Sequence, residues 1–245
     1  MTMSRSVVPE LLDSLAVDDP TAMRSRRDLQ RVHQAMGTRG ILLQAFADFH
    51  IERRSAPLRI LELGAGDGSL MLSVARAMQH SWAPVELTLL DCQDLIDAPM
   101  IANYARLGWL ANARVCDVHH WAAEMILASA SGTPPARWDL IVVNLFLHHF
   151  ERDSLCRLLS AVAAGSERFV ACEPRRSRIS LAASQLIGAI GVNAVTRADA
   201  VLSVRAGFAG TEISDLWPAP AWKSREYAAG LFSQCFVAER TELRV

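Results

Sequence analysis

The run from Arg59 to Ser69 carries the residues of this chain that are best spaced for chemistry. An apolar stretch ends in Glu62 and opens into a turn with a glycine at every second position, Gly64, Gly66 and Gly68. Glycine lets a backbone approach a ligand closely and adopt a positive φ angle. A carboxylate at the same strand end can bind polar groups of that ligand. The turn therefore predicts a site for a small, nucleoside-bearing ligand at the end of a parallel strand.

A second carboxylate is placed to meet the same ligand. Asp91 ends the apolar run Val85–Asp91, at the distance beyond the glycines where a Rossmann-like sheet sets a carboxylate on ribose hydroxyls. A carboxylate suits a vicinal diol because it accepts two hydrogen bonds at once. Two later strand-like runs also lead into polar residues, at Asp117 and at Asn144. Because the carboxyl ends of parallel strands lie at one edge of a sheet, these four polar strand ends indicate a shared ligand-binding edge.

The order and spacing of these four segments resemble class I S-adenosylmethionine-dependent methyltransferases. The acid stands two residues before the first glycine, and Ser69 stands where a dinucleotide-binding turn has its last glycine. The resemblance implies S-adenosylmethionine as the cofactor, with Asp91 on the ribose, Asp117 beside the adenine and Asn144 near the methionine amino group. The full set of cofactor-binding residues that it implies is Glu62, Gly64, Ala65, Gly66, Gly68, Asp91, Cys92, Asp117, Val118, Asn144 and Leu145.

Two adjacent histidines follow the fourth predicted strand, at the edge where such sheets bind ligands. Methyl transfer is an in-line displacement, so a base is needed only if the acceptor must lose a proton. A histidine can take a proton from a phenol or another hydroxyl near neutral pH. We therefore predict His149 and His148 as catalytic residues, and we expect only one to face the methyl group because neighbouring side chains diverge. The alternative is that both histidines only shape the pocket.

A second pair, His119 and His120, does not favour a metal site. Adjacent side chains in a strand point to opposite faces, which disfavours a metal ion shared by the pair. We predict that the protein needs no metal.

Basic residues are not concentrated enough to predict nucleic-acid binding, and the formal net charge is −1. The run Arg24–Arg27 is typical of a solvated helix face. Three arginines, Arg175, Arg176 and Arg178, follow the fifth predicted strand, where one of them would pair with an acidic group of the acceptor. The alternative is that they belong to a solvated loop.

The elements that must position these residues alternate between strand and helix from Leu58 onward, which indicates parallel pairing and right-handed crossovers. We predict an α/β fold with a Rossmann-like, seven-stranded, mostly parallel sheet and helices on both faces. Residues 1–55 show helical spacing interrupted at Gly37 and Gly40, and we expect a helical N-terminal cap there. Residues 56–245 are then the methyltransferase domain.

Individual elements after the glycine turn are predicted as helices at about residues 68–78, 95–107 and 152–164, with strands at 113–118 and 167–174. Residues 138–150 are predicted as a strand that runs into a His-rich turn. In the tail, we expect a short sixth strand at Thr211–Ile213 and a seventh, antiparallel edge strand at Leu231–Ala238. The segment Trp217–Trp222 between them is predicted as a rigid aromatic loop.

The five cysteines are scattered without a C-x-x-C pair, which favours free thiols and a cytoplasmic location. No run approaches the length of uncharged apolar residues that a membrane-spanning helix needs.

The segment Val204–Phe208, with Leu216–Pro218, resembles bacterial methyltransferases associated with type III polyketide synthases. This resemblance implies secondary metabolism and O-methylation of a phenolic or polyketide-derived small molecule. The alternatives are a C-methyltransferase of quinone biosynthesis and a non-catalytic relative that binds the cofactor; a homodimer is also possible.

Overall fold

The structure, a computed structural model, describes residues 3–47, 49, 56–78, 82, 84–131 and 137–241. Its centre is a seven-stranded sheet in the order β3-β2-β1-β4-β5-β7-β6, in which only β7 pairs antiparallel with its two neighbours. The strands are β1 Leu58–Leu63, β2 Val85–Asp91, β3 Trp109–Val115, β4 Leu140–Asn144, β5 Arg168–Pro174, β6 Trp222–Ala229 and β7 Ser233–Arg240. The predicted mostly parallel, Rossmann-like sheet is confirmed.

Eight α-helices are described, and they cover both faces of the sheet. Their bounds are α1 Pro20–Met36, α2 Thr38–Ala47, α3 Ser69–Met78, α4 Ala98–Ala105, α5 Val118–Ala130, α6 Arg152–Gly165, α7 Arg178–Leu186 and α8 Ala194–Ala206. Strand β1 shows why both faces are covered. Ile60 belongs to the apolar core on one face, and Leu61 and Leu63 belong to the core on the other. A strand buried on both faces reads as a continuous apolar run, and this is what made it visible in the sequence.

The N-terminal region contains the two predicted helices, α1 and α2. Helix α1 begins after Asp19, whose side chain accepts a hydrogen bond from the Thr21 N–H at 2.6 Å, and it ends at Gly37 with φ 67°. Gly40 does not end a helix, because it lies inside α2. The predicted boundary at residue 55 and parts of the stretch before it lie outside the described residues. None of the described helices is long and apolar enough to cross a membrane.

The last two strands differ from the prediction. Thr211–Ile213 is a turn, and β6 lies instead at Trp222–Ala229, overlapping the end of the predicted loop. Strand β7 is not an edge strand, since it pairs with β5 on one side and with β6 on the other. Strand β6 is the edge strand instead. Its residues Lys223, Ser224 and Arg225 are exposed, as is common for edge strands that avoid pairing with another chain. That polar sequence carries no apolar strand pattern.

Candidate functional site

The glycine turn after β1 has the backbone that its sequence predicts. Gly64, Gly66 and Gly68 have φ angles of 71°, 55° and 74°. At Gly64 a Cβ atom would lie 2.5 Å from Cδ2 of Phe146, so a larger residue does not fit. The Gly64 and Ala65 N–H groups donate to the Leu90 carbonyl at 2.9 and 3.0 Å. The turn is thereby fixed to the neighbouring strand β2.

Asp91, at the end of β2, holds the turn from the other side. Its Oδ2 accepts from the Gly66 N–H at 2.8 Å, and its Oδ1 accepts from the Gln93 N–H at 3.0 Å. A carboxylate has further lone pairs beyond these two bonds, so Asp91 can still accept from a ligand. It therefore combines a structural contact to the turn with an acceptor at the binding edge.

Glu62 and Asn144 are buried polar residues at the ends of β1 and β4, with exposed fractions of 3% and 7%. Oε2 of Glu62 and Oδ1 of Asn144 have no hydrogen-bond partner. Burial, together with the negative charges of Asp67 and Asp91, raises the pKa of Glu62 to about 8. Leaving buried acceptors unpaired is costly, roughly 1–3 kcal/mol each. The two atoms are therefore available to accept hydrogen bonds from a ligand with donors, such as an ammonium group.

Glu62, Asn144 and the glycine turn open onto one cleft with an empty volume of about 870 Å³. From the predicted site residues it brings together Glu62, Gly64, Ala65, Gly66, Asn144, Leu145, His148 and His149. It also contains residues that were not predicted, among them Glu10, Asp13, Arg26, Gln30, His33, Asp67 and Ser203. The cleft is therefore built from the carboxyl ends of β1 and β4, the two histidines and the N-terminal region.

The remaining predicted residues, Asp91 among them, lie outside the lining of the cleft. The Gly68 carbonyl accepts from the Tyr104 hydroxyl at 2.6 Å, and Cys92 is exposed. Asp117 is not at the end of a strand, because β3 stops at Val115; it caps helix α5, where it accepts from the His119 N–H at 2.6 Å. Val118 is buried in the apolar core. Their predicted contacts with a cofactor stay predictions.

His148 is held between two carboxylates. Its Nδ1 lies 2.8 Å from Oε2 of Glu173, and its Nε2 lies 3.3 Å from Oε1 of Glu10. Burial alone would lower the pKa of His148, but the hydrogen bonds and charges of Glu10 and Glu173 outweigh it and raise the pKa to about 9. His148 is therefore an imidazolium at neutral pH, with both N–H groups donated. Glu173 also accepts from the Phe146 and Leu147 N–H groups, which ties β5 to the turn after β4.

His149 is more accessible, with 24% of its side chain exposed and its Nδ1 3.4 Å from Oδ2 of Asp13. One atom each of Glu10, His148 and His149 lie within 4.8 Å of one another, which is compatible with metal ligation. Both ring nitrogens of His148 already have carboxylate partners, so hydrogen bonding explains this arrangement without an ion. The second histidine pair is elsewhere: His120 contacts Glu124 at 3.2 Å, and His119 packs against Phe150.

The segment 3–15 crosses the site, although its sequence gave no sign of this. Arg5 donates to the backbone carbonyls of Ala206, His148 and Phe150. The Asp199 carboxylate on α8 accepts from the Leu11 and Leu12 N–H groups at 2.8 and 3.0 Å. Glu10 lies between these attachments and also accepts from the Ser203 hydroxyl. These contacts join residues far apart in the chain, so neither periodicity nor a local motif could have indicated them.

The predicted role of an arginine after β5 is not supported by geometry. Arg176 is buried, and its guanidinium is bound to the Glu212 carboxylate and to the carbonyls of Gly207 and Met3. Within the described residues, Arg175, Arg176 and Arg178 line neither the cleft nor the apolar cavity that adjoins it. Arg176 instead fixes the N-terminal segment to the end of β5.

A second cavity adjoins the cleft and is mainly apolar. It lies between α1, α7 and α8, with an empty volume of about 810 Å³, and its walls include Val32, Met36, Ile187, Val204 and Phe232. Glu10, Leu29, Leu145 and Ser203 line both cavities. Leu145 has φ 49°, an unusual value for a residue other than glycine, and such strain is typical of functional sites. The two cavities thus meet at Glu10, Leu29, Leu145 and Ser203.

Comparison with known proteins gives matches at the level of structure only. No protein-family model matches the chain, and no curated protein matches its sequence. A structure of the plantazolicin methyltransferase BpumL in complex with SAH matches with a TM-score of 0.64 at 12% identity, covering 91% of this chain and 92% of BpumL. The mitomycin 7-O-methyltransferase MmcR matches with a TM-score of 0.56 at 17% identity, covering 94% of this chain and 60% of MmcR.

A putative O-methyltransferase from Nostoc punctiforme PCC 73102 matches with a TM-score of 0.57 at 14% identity, covering 97% of this chain and 64% of the other. At these identities the likeness establishes the fold. The chain has the Rossmann-like sheet found in these methyltransferases.

Proposed function

We propose that the protein transfers a methyl group from S-adenosylmethionine to a small-molecule acceptor. The observation that carries this proposal is the pair of unpartnered buried oxygens, Oε2 of Glu62 and Oδ1 of Asn144, beside the glycine turn. An amino-acid ammonium group supplies the donors that these acceptors lack. The presence of the same fold in methyltransferases, one of them in complex with SAH, supports the proposal.

The residues present fit such a cofactor. Glu62 and Asn144 would hold the amino group of its methionine part, and the positive-φ turn at Gly64 and Gly66 would let the backbone approach it. Asp91 would bind the ribose while bracing the turn through Gly66. We also propose that Asp117, which lies two residues beyond the end of β3, is on the adenine side of the cofactor.

When bound, S-adenosylmethionine supplies an electrophilic methyl group, and the chain's own residues align the acceptor and exclude water. Of the two predicted catalytic histidines, His148 is an imidazolium with both N–H groups donated, so we assign it to orienting Glu10 rather than to taking a proton. His149 borders the cleft and remains the histidine candidate for the base. If it is the base, replacing it lowers the rate by roughly 10²–10⁴.

For the acceptor, we propose a phenolic or polyketide-derived compound that is methylated on oxygen. The apolar cavity beside the cleft supports an acceptor of low polarity. The alternative, methylation of carbon in a quinone-type precursor, uses the same two cavities. A non-catalytic protein that only binds the cofactor is the third possibility. The neighbours named for plantazolicin and mitomycin 7-O-methylation act on different molecules, so they do not select an acceptor.

Labelled S-adenosylmethionine and a panel of phenols and quinols test the proposal. We expect one labelled organic product and an equal amount of S-adenosylhomocysteine, and its fragmentation pattern separates O-methylation from C-methylation. If His149 is the base, His149→Ala slows this turnover while leaving cofactor affinity nearly unchanged. Cofactor binding without labelled product from any member of the panel would favour the non-catalytic alternative.

A further inference from the structure

The apolar cavity has an unusual charge distribution. Its lining contains two carboxylates, Glu10 and Asp199, and among the described residues that line it there is no lysine, arginine or histidine. Both oxygens of Asp199 are bonded to the backbone N–H groups of Leu11 and Leu12. Glu10 is therefore the charged group with which a molecule in this cavity would interact most directly.

Glu10 is also placed where the two cavities meet. Of the four residues shared by both linings, Leu29 and Leu145 are apolar, and the Ser203 hydroxyl donates to Glu10. His148 and His149 line the cofactor cleft only. An acceptor that extends from the apolar cavity into the cleft therefore contacts the shared lining, in which Glu10 is the charged residue.

The position of Glu10 is fixed by contacts on several sides. Behind it, His148 lies against Oε1 at 3.3 Å and is itself bonded to Glu173. On its own segment, Leu11 and Leu12 are held by Asp199. A carboxylate fixed in this way offers its remaining lone pairs in a constant direction, as a hydrogen-bond acceptor for a bound hydroxyl must.

We infer that Glu10, rather than a histidine, receives the hydroxyl proton of the methyl acceptor, and that its charge excludes anionic acceptors from the apolar cavity. This inference rests on the proposed function. As the hydroxyl oxygen forms its bond to the methyl carbon, the bond between that carbon and the donor sulfur breaks with its electron pair left on sulfur. The hydroxyl proton passes to Oε of Glu10. The acceptor class is an uncharged apolar molecule with a free hydroxyl.

The experiment uses the full chain saturated with S-adenosylhomocysteine, so that no turnover occurs. Binding of that molecule is measured first, and its failure would reject the proposed function without testing Glu10. Binding of para-propylphenol, para-propylbenzoate and para-propylbenzylamine, matched in shape, is then compared by calorimetry. We expect the phenol to bind at least about tenfold more tightly than the benzoate, because a carboxylate near Glu10 is repelled at low dielectric. We also expect the phenol to bind more tightly than the amine, because moving an ammonium group from water into an apolar cavity costs more free energy than its attraction to Glu10 returns.

Variants at Glu10 and in the cavity wall, with a control at Asp18, separate the effect of the residue from the effect of the cavity. Glu10→Gln should bring phenol and benzoate affinities within about threefold of each other, since it removes the charge and keeps the shape. Asp18→Asn makes the same charge change at an exposed residue outside both linings, and it should leave the ratio unchanged. Ala200→Trp should fill the cavity and abolish phenol binding while S-adenosylhomocysteine still binds. If it does not fold, Ala183→Trp fills the cavity from α7.

The contradicting outcomes are distinct. Equal binding of phenol and benzoate to the unchanged protein would overturn the charge selectivity, and so would a ratio that survives Glu10→Gln. Tighter binding of the amine would show that the cavity selects cations. Phenol binding that persists in the tryptophan variants would place the acceptor elsewhere. Once a turned-over acceptor is known, a larger loss of rate in His149→Ala than in Glu10→Gln would return the role of base to the histidine.

Discussion

Glu62 illustrates how a single buried group can report on its ligand. Burial beside Asp67 and Asp91 raises its pKa to about 8, so in the free protein it is mostly protonated at neutral pH. An ammonium group placed against its unpartnered oxygen favours the ionised form. Binding of such a ligand must therefore release a proton, and affinity must rise as the pH increases toward about 8.

We predict this release for S-adenosylhomocysteine. Calorimetric titrations at neutral pH in two buffers of different ionisation enthalpy should give different observed enthalpies. Glu62→Gln cannot release the proton, so its observed enthalpies should agree after correction for dilution, and its affinity should be lower. A buffer-independent enthalpy for the unchanged protein would show that Glu62 does not meet the ammonium group.

His148, in contrast, stabilises the folded protein when it is protonated. Its folded pKa of about 9 lies above its ordinary value of 6.5. The contribution is therefore complete below about pH 6.5 and is lost as the pH rises through about 9. Its size is on the order of 3 kcal/mol, from 1.36 kcal/mol per pKa unit.

The titration of the His148 ring can be followed directly by nuclear magnetic resonance. We predict that it stays protonated through neutral pH and titrates near 9. Glu10→Gln should lower this pKa, because one of the two flanking carboxylates is lost. A ring that titrates below its ordinary value would mean that burial outweighs both carboxylates, and His148 would again be a candidate base.

At the scale of elements, the turn between β1 and α3 depends on one close contact. In Gly64→Ala, the positive φ costs roughly 1–2 kcal/mol, and the new methyl group would also displace Phe146. We predict a lower free energy of unfolding in urea and weaker S-adenosylhomocysteine binding. Gly40→Ala is the matched control, since its Cβ meets nothing within 4 Å inside α2, and it should be neutral or stabilising. Equal effects of the two substitutions would contradict the role assigned to Gly64.

The elements differ in how far they could be predicted. Strands β1, β2, β4 and β5 are buried on both faces, so their apolar runs and the polar residues that end them were visible. Strand β6 was not, because an exposed edge leaves polar residues along most of its length. The start of β3 at Trp109 was also missed, since Leu110, Asn112 and Ala113 are exposed and interrupt the apolar run.

The candidate site was predictable only where local patterns specify it. The glycine turn, Asp91, Asn144 and the histidine pair stand beside strands and could be placed by spacing. Glu10 and Ser203 could not, because their proximity depends on contacts between segment 3–15 and α8. The environment of His148 could not be predicted either, because the sequence around a histidine does not show which distant carboxylates flank it. The positions of several site residues could thus be predicted from the sequence, but their chemical roles could be assigned only from the tertiary structure.

At the scale of the whole molecule, two cavities of different polarity share one junction. The cleft at the carboxyl ends of β1 and β4 carries the glycine turn and the unpartnered oxygens, and the apolar cavity lies between α1, α7 and α8. This arrangement suits a reaction between a polar donor and an apolar acceptor. The cytoplasmic location and the possible homodimer stay predictions.

The central claim is that the cleft binds S-adenosylmethionine, and calorimetric titration with S-adenosylhomocysteine and with NAD tests it most directly. We predict that the former binds and that NAD does not. Asp91→Ala should weaken binding by roughly 1.5–3 kcal/mol, because it removes the hydrogen bond to the Gly66 N–H and the acceptor that we propose for the ribose. Asp94→Ala, at an exposed residue, should not. NAD binding without S-adenosylhomocysteine binding, or an unchanged affinity in Asp91→Ala, would contradict the claim.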